Sequence, residues 1–181
     1  MLDHGERCAV RVAGQRERWE QIAEFGARDP RLPTALAGLV ADLVALDQDA
    51  ALPFAAVFDV VAVDAPCSGL GTLRRNPDLK WRQTPEGVAD LVRKQQEILS
   101  GAARLVKAGG RVVYATCSLL PPENEDVLAA FLAAPEDFLP IFAAHLMQPQ
   151  QIPLEPGAAL RPTPLGSDTH ALYAGGVGRH K

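Results

Sequence analysis

The stretch FDVVAVDAPCSG, residues 58–69, decides the fold, because an apolar strand runs directly into a carboxylate and a thiol. Later in the chain a second apolar strand runs into a thiol, in RVVYATCS, residues 111–118. Both runs are apolar and rich in β-branched residues without alternation, which is typical of strands buried on both faces of a parallel sheet. Ligands collect beyond the carboxyl ends of such strands. We therefore expect Asp64, Cys67 and Cys117 to meet at one edge of the sheet, where they would favour covalent thiol chemistry.

The residues between and after these strands predict helices. Thr84-Pro85-Glu86 has the signature of a helix start, with an N-cap, a proline at the first helical position and an acid in the first turn. Apolar residues then recur with a helical period to about Lys107, and Gly109-Gly110 is expected to end the helix. Pro121-Pro122 opens a second helix that continues through Phe131. Strand, helix, strand, helix predicts an α/β fold with a doubly wound parallel sheet.

The two ends of the chain have weaker patterns. Cys8–Val12 favours a short strand, Gln15–Gly26 a helix, and the apolar residues from Leu36 to Val44 a second helix. After Pro135 the chain is rich in proline, and we expect one antiparallel edge strand over residues 171–174, followed by a frayed terminus over residues 175–181.

Composition excludes several classes of protein. The chain has 181 residues, a formal net charge of −4 and three cysteines that lie in no C-x-x-C spacing and beside no histidine cluster, so we expect no metal site. Free thiols without a secretory leader indicate a reducing cytoplasm. The longest apolar run, Ala50 to Val63, is too short to span a membrane.

A basic loop follows the first cysteine. Arg74, Arg75, Lys80 and Arg82 surround Trp81, although the chain as a whole is acidic. Such a loop can contact the phosphates and bases of a nucleic acid, but charge alone is more typical of an ordinary solvated loop. Trp81 either packs beneath the loop or contacts a base, and we expect the packing.

The cysteines and the carboxylate also have structural interpretations. Cys117 is either a reactive thiol or a small buried apolar residue, and Asp64 either binds a ligand or caps the loop. A thiol hydrolase or acyl transferase is a weaker alternative, because that chemistry needs a histidine near the thiol. All four histidines, His4, His145, His170 and His180, lie outside both cysteine motifs.

The motifs taken together resemble the Sun (RsmB)-type RNA cytosine-C5 methyltransferases. The resemblance covers about residues 57–134 and rests on the two cysteine motifs, the basic loop between them, Gln95-x-x-Ile98-Leu99 and Glu123-Asn124-Glu125. It implies a Rossmann-like class I methyltransferase fold that uses S-adenosylmethionine to methylate a cytosine of small-subunit ribosomal RNA.

The same resemblance implies roles for individual residues. Cys117 would attack C6 of the cytosine, Cys67 would assist the elimination that frees the product, and Asp64 would lie near both the cofactor and the ring. The target base would leave its stack to reach this pocket. RNA phosphates would be held by the basic residues of the loop, Arg74, Arg75, Lys80 and Arg82.

The chain departs from this family before residue 58. The glycines there, Gly5, Gly14, Gly26 and Gly38, are too scattered for the Gly-rich turn that binds the cofactor. We therefore interpret residues 1–53 as a diverged or remnant leader and residues 54–178 as the carboxyl-terminal half of a catalytic domain. Such an incomplete fold would expose an edge strand and call for a complementing amino-terminal fragment. The alternative function is a truncated RNA-binding remnant that lacks the cofactor site and is catalytically inactive.

Overall fold

A computed structural model describes residues 8–12, 41–43, 56, 58–133, 137–142, 159–161 and 172–180 of the protein. Its centre is a seven-stranded mixed sheet with the strand order β2-β1-β3-β4-β7-β5, in which β6 also pairs with β7. Strands β2, β1, β3 and β4 are parallel, and β5, β6 and β4 all pair with β7 in the antiparallel sense. The strands are β1 (Cys8–Val12), β2 (Ala41–Leu43), β3 (Phe58–Asp64), β4 (Val106–Thr116), β5 (Phe138–Ile141), β6 (Ala159–Leu160) and β7 (Tyr173–Arg179).

Three α-helices lie among the described residues: α1 (Leu79–Arg82), α2 (Pro85–Ala103) and α3 (Glu125–Leu132). Helix α2 begins as predicted, because the Thr84 hydroxyl accepts a hydrogen bond from the Gly87 N–H at 3.1 Å and Pro85 occupies the first turn. None of these helices is long and apolar enough to cross a membrane.

The core forms where α2 and α3 cover β3, β4 and β7. The inward residues of β3 and β4 alternate with less buried ones, and the buried face of α2 contributes Ile98, Leu99, Ala102 and Ala103. Tyr114 and Tyr173 meet edge to face, with their ring centroids 6.4 Å apart. Strands β3 and β4 lie side by side through their parallel backbone pairing, which matters because both strands lead to a cysteine.

The end of α2 differs from the prediction. The helix stops at Ala103 rather than near Lys107, and β4 begins as early as Val106. Lys107 therefore forms an ion pair with Asp59 of β3 instead of lying at a helix terminus. The β3–β4 pairing shifts between Phe58 and Val60, so the residues around Gly109-Gly110 form an irregularity inside β4 and do not end the helix.

The amino-terminal segment confirms one prediction and corrects two. The predicted strand Cys8–Val12 is β1, whereas the helix expected between Leu36 and Val44 is wrong at its centre, because Ala41–Leu43 forms β2. Backbone pairing with β1 overrides the helical spacing of the apolar residues there. The predicted helix over residues 15–26 lies outside the described residues. Strand β3 is also not the exposed edge that we expected, since β1 pairs with it over Val60–Asp64.

The carboxyl-terminal segment is more ordered than predicted. Residues 173–179 form β7 in the interior of the sheet, where we expected only a short edge strand and a frayed terminus. Gly175 permits this position, because a Cβ atom there would overlap with the Leu128 side chain. Strand β5, which the sequence analysis did not predict, contains Pro140 and pairs with β7 alone among the described strands. A proline is compatible with such an edge position.

The Gly110 position yields a test of this packing. A Cβ atom there would lie 2.7 Å from the Val106 side chain and 2.8 Å from the Asp59 carbonyl oxygen. We expect Gly110→Ala to lower the free energy of unfolding by about 1–3 kcal/mol, because the backbone must shift to relieve the overlap. The matched control is Gly101→Ala in α2, where nothing lies within 4 Å of the new methyl group. It should raise the free energy of unfolding by roughly 0.5–1 kcal/mol. Urea titrations of both variants measure these changes, and equal effects would contradict the described packing.

Candidate active site

The two cysteines lie together at the carboxyl ends of adjacent parallel strands. Cys67 follows the last residue of β3, Asp64, by three positions, and Cys117 directly follows β4. Their Sγ atoms are 3.2 Å apart. The Gly71 N–H donates a hydrogen bond to the Cys117 carbonyl oxygen at 2.8 Å, which ties the two loops together. The structure thus brings together the two thiols that the sequence analysis selected.

Asp64 ends β3 at the same edge of the sheet, and its side chain is exposed. The ladder between β3 and β4 continues one step beyond it, since the Ala65 N–H donates to the Ala115 carbonyl oxygen at 2.9 Å. The Asp64 carboxylate is close enough to Cys117 to raise the pKa of that thiol. Its place at the mouth of the site suits contact with a polar ligand.

Glu123 is buried between the two cysteine loops and accepts four hydrogen bonds. One carboxylate oxygen, Oε1, accepts from the Ser68 backbone N–H at 2.7 Å and from Gln95 Nε2 at 3.1 Å. The other, Oε2, accepts from the Ser68 hydroxyl at 2.5 Å and from the Ser118 hydroxyl. Because Ser68 follows Cys67 and Ser118 follows Cys117, a single carboxylate holds both loops.

Further hydrogen bonds fix the position of Glu123 and of the second loop. The Tyr114 hydroxyl donates to the Glu123 carbonyl oxygen at 2.7 Å. The Thr116 hydroxyl donates to Asn124 Oδ1 at 2.5 Å, and Asn124 Nδ2 donates to the Ser118 carbonyl oxygen at 3.1 Å. These bonds start from the buried end of β4, so the strand itself orients the loop that carries Cys117.

The sequence analysis used Glu123 and Gln95 only as parts of a motif and missed their function in this network. One signal was available for Gln95, which lies in the apolar stripe of α2, three residues after Val92 and three before Ile98. A polar residue in such a stripe needs a buried hydrogen-bond partner. Gln95 has two partners, since its Nε2 also donates to the Pro66 carbonyl oxygen at 2.8 Å, directly before Cys67.

The two thiols differ in acidity because one hydrogen bond joins them. Either sulfur can donate this bond. With Cys67 as the donor, it lowers the pKa of Cys117 to about 7, although burial and the negative charges of Asp64 and Glu123 oppose this effect. The pKa of Cys67 is raised well above its ordinary value by the same hydrogen bond, by burial and by the negative charge of Cys117. Cys117 therefore ionises first, while Cys67 keeps its proton.

The basic loop extends from the site into solvent. The side chains of Arg74, Arg75, Lys80 and Arg82 are all exposed. Arg82 pairs with Asp78 at 2.9 Å, and Lys80 Nζ lies 4.9 Å from the centroid of the Trp81 ring.

The predicted packing of Trp81 beneath this loop is wrong, because 81% of its surface is exposed. None of the residues of helix α1 is buried, so this short helix lies on the surface with its indole ring in solvent. The loop is nevertheless attached to the site, since Gln83 Nε2 donates to the Ser68 carbonyl oxygen at 2.8 Å.

A largely apolar cavity of about 710 Å³ lies beside the cysteine loops. Its walls come from both loops, through Leu70, Leu120 and Pro122, and from the start of α2, through Val88. Lys80 stands at its border. An apolar wall next to a cation suits a flat heterocycle that carries a phosphate.

No histidine among the described residues can assist Cys117. The described one, His180, follows β7, whose neighbouring residue Gly178 pairs with Arg111. That places His180 near the start of β4, whereas Cys117 follows its end. Within the described ranges, no group of three or more His, Cys, Asp or Glu residues is arranged to hold a metal ion.

The fold defines the class of protein. A methyltransferase homologue from Pyrococcus horikoshii superposes with a TM-score of 0.62 and 23% identity over 97% of this chain and 62% of that one. NSun6 from the same organism, solved with SFG, superposes with a TM-score of 0.67 and 20% identity over 98% of this chain and 49% of that one. The fold is thus the predicted Rossmann-like methyltransferase fold.

The sequence then defines the family. Residues 6–177 match the family described as 16S rRNA methyltransferase RsmB/F, and the chain belongs to this family. A Synechocystis relative named "Probable ribosomal RNA small subunit methyltransferase B" is 50% identical over 93 residues, which are 51% of this chain and 21% of that protein. The match thus covers about a fifth of the length of that relative. The predicted resemblance to the Sun type is confirmed.

The acidity of Cys117 can be measured by alkylation. In a Cys8→Ala background we expect the rate at which iodoacetamide modifies Cys117 to rise with pH through about 7, because only the thiolate reacts. Cys67→Ala removes the hydrogen-bond donor, so the pKa of Cys117 should rise. If it returns to about 8.5, the thiolate fraction at pH 7 falls by roughly fifteenfold. Mass spectrometry of the modified peptide gives both profiles, and identical profiles would contradict the thiol–thiol hydrogen bond.

Proposed function

We propose that this chain carries the catalytic centre of an S-adenosylmethionine-dependent methyltransferase that modifies C5 of a cytosine in RNA. The observation that carries the proposal is the pair of thiols whose sulfur atoms lie 3.2 Å apart. Their hydrogen bond lowers the pKa of Cys117 and raises the pKa of Cys67. A reaction that used a thiol only as the nucleophile would need one cysteine. Two thiols in opposite protonation states suit a reaction that first forms and then breaks a carbon–sulfur bond.

Cys117 is the nucleophile of this scheme. Cytosine C5 is a poor nucleophile, and a thiolate that adds to C6 makes the C5 position enamine-like. The electron pair of the C5–C6 double bond moves toward the ring nitrogen and carbonyl, where a proton is taken up from solvent at the exposed edge of the site; the same proton returns to solvent when the ring is restored. S-adenosylmethionine supplies the methyl group that C5 then accepts. Cys117 suits the first step because the hydrogen bond from Cys67 lowers its pKa toward neutrality, which favours the reactive thiolate.

Cys67 acts in the release of the product. Once Cys117 has formed its bond to C6, it no longer carries a negative charge or accepts the Cys67 hydrogen bond. Two of the three causes that raise the pKa of Cys67 are then absent, and only burial remains. Cys67 can then lose its proton and assist removal of the C5 proton, whose electron pair restores the double bond and expels Cys117. Bond formation at one thiol thus prepares the other for the next step.

Asp64 suits the contact with both the ring and the cofactor. Its exposed carboxylate at the end of β3 can stabilise the protonated ring of the adduct, and it can also bind a positively charged group. It therefore fits one part of S-adenosylmethionine, which carries an amino group. The sequence after β1 contains only Gly14 where a Gly-rich turn is expected, so no residue is assigned to the nucleoside part.

The RNA would lie across the basic loop. Arg74, Arg75, Lys80 and Arg82 are exposed and suit contacts with phosphates, and the exposed Trp81 ring suits stacking on a base. The family description and the name of the Synechocystis relative both specify small-subunit ribosomal RNA, which makes ribosomal RNA the proposed substrate and the cytoplasm the proposed location. A separate amino-terminal fragment would complete the site if this chain binds the cofactor weakly.

Trapping of the covalent adduct tests the mechanism. We expect Cys67→Ala, incubated with S-adenosylmethionine and a ribosomal RNA fragment, to accumulate a protein–RNA adduct that survives denaturing electrophoresis, because release is blocked after attack. Cys67→Ala/Cys117→Ala is the control and should form none. An adduct that persists in the double variant, or none in Cys67→Ala when cofactor binding is saturated, would remove these assignments.

The second candidate is an RNA-binding remnant without catalysis. The scattered glycines before residue 58 favour it, since they do not form the expected cofactor turn. Calorimetric titration with S-adenosylmethionine separates the two functions. Saturable binding that weakens in Asp64→Asn supports the enzyme, because Asp64 is the assigned cofactor contact. No binding up to millimolar cofactor supports the remnant, and in that case RNA should still bind with an affinity that falls steeply with salt.

A further inference from the structure

We propose that Glu123 is a positioning residue that sets the distance between the two active-site thiols by holding both cysteine loops on one carboxylate. The role of this distance in catalysis rests on the proposed function. The hydrogen bonds that support the inference do not depend on that function. Glu123 does not touch either sulfur in any contact described above. It acts through Ser68 and Ser118, each of which directly follows a cysteine.

The arrangement of donors around Glu123 supports this function. The loop of Cys67 contributes the backbone N–H and the hydroxyl of Ser68, and the loop of Cys117 contributes the hydroxyl of Ser118. The two hydroxyl oxygens are 3.1 Å apart and share the oxygen Oε2. Each loop is thereby fixed within one residue of its sulfur. A displacement of either serine would change the separation of the thiols.

Packing alone does not account for a carboxylate at this position. The Glu123 side chain is fully buried, and its four donors are hydroxyl, amide and backbone groups without a Lys or Arg among them. A buried charge without a cationic partner is generally less stable than a well-packed apolar side chain. What the carboxylate adds is a planar group that accepts hydrogen bonds from two loops and from Gln95 of α2 at once.

Glu123→Gln and Glu123→Ala should therefore have different effects on the hydrogen bonds that join the two loops. In Glu123→Gln the amide oxygen can still accept from the Ser68 N–H and Gln95, and the amide nitrogen can donate to both serine oxygens. One serine hydroxyl then donates to the other, so the network persists with reversed bonds. Glu123→Ala removes all four hydrogen bonds to the carboxylate. The described bonds that still join the two loops are then the one from the Gly71 N–H to the Cys117 carbonyl oxygen and the contact between the two serine hydroxyls, which lose their shared acceptor.

A trivalent arsenical is a direct probe of the distance, because it is bound tightly only where two thiols reach the same arsenic atom. In a Cys8→Ala background, phenylarsine oxide should bind the parent chain tightly through Cys67 and Cys117. We expect Glu123→Ala to bind on the order of a hundredfold more weakly, since the advantage of chelation is lost. Glu123→Gln should bind as the parent does. Glu125→Ala is the matched control, because that neighbouring carboxylate pairs with Arg161 outside the network and should have no effect.

Further variants distinguish the loss of the positioning contacts from a loss of stability and from a change in charge. Leu128→Ala weakens the core around α3 without touching the network and should keep tight arsenical binding. Ser68→Ala/Ser118→Ala keeps the carboxylate but removes both hydroxyls, and should lose the binding as Glu123→Ala does. In Glu123→Gln the alkylation profile of Cys117 should move to lower pH, because the negative charge of Glu123 raises the pKa of Cys117.

The outcomes separate the two proposals. Parent-like arsenical binding by both Glu123→Ala and the double serine variant would overturn the positioning function. If Glu123→Ala does not fold, as circular dichroism would show, the double serine variant decides in its place. Tight arsenical binding by the parent combined with no RNA adduct in Cys67→Ala would remove the proposed methyl transfer and leave the positioning function intact.

Discussion

The buried carboxylate of Glu123 is the interaction on which the site depends. It lies where two loops leave adjacent strands, and each of its oxygens accepts two hydrogen bonds. Burial of a charge is costly, so such a group persists only when its hydrogen bonds are satisfied. This condition couples the two loops: neither can move far without leaving a buried oxygen unpaired. The sheet brings the cysteines to one edge, and Glu123 turns that proximity into a defined separation.

Proximity in turn produces the chemical difference between two identical side chains. Isolated cysteines would titrate alike, but thiols in hydrogen-bond contact share a proton unequally. The sulfur that accepts the bond, Cys117, ionises near neutral pH, and the donor, Cys67, resists ionisation. Asp64 and Glu123 both oppose ionisation of Cys117, so the hydrogen bond from Cys67 outweighs two negative charges and burial. The pKa of Cys117 is therefore lowered chiefly by the hydrogen bond from the second cysteine.

The sequence predicted the parts of the fold that local patterns determine. Strands β3 and β4 were recognisable from uninterrupted β-branched runs, and the start of α2 from Thr84 and Pro85, because these signals act within a few residues. The errors arose where distant contacts decide. Residues 41–43 form a strand through pairing with β1, and residues 175–179 form one through pairing with β4 and β5. Within the site, the meeting of the cysteines followed from topology, whereas the partners of Glu123 required the packed structure.

The irregular pairing of β3 with β4 also bears on the site, because of where it occurs. The register shift lies at the start of the strands, between Phe58 and Val60, where Gly110 allows close approach to the β3 backbone. Beyond this shift the pairing is regular over five consecutive residue pairs, from Val60 opposite Arg111 to Asp64 opposite Ala115. A one-residue slip would turn side chains to the other face of the sheet. Because the irregularity is confined to the far end, the two strands reach the cysteine loops in register, and Glu123 needs to align only the last few residues.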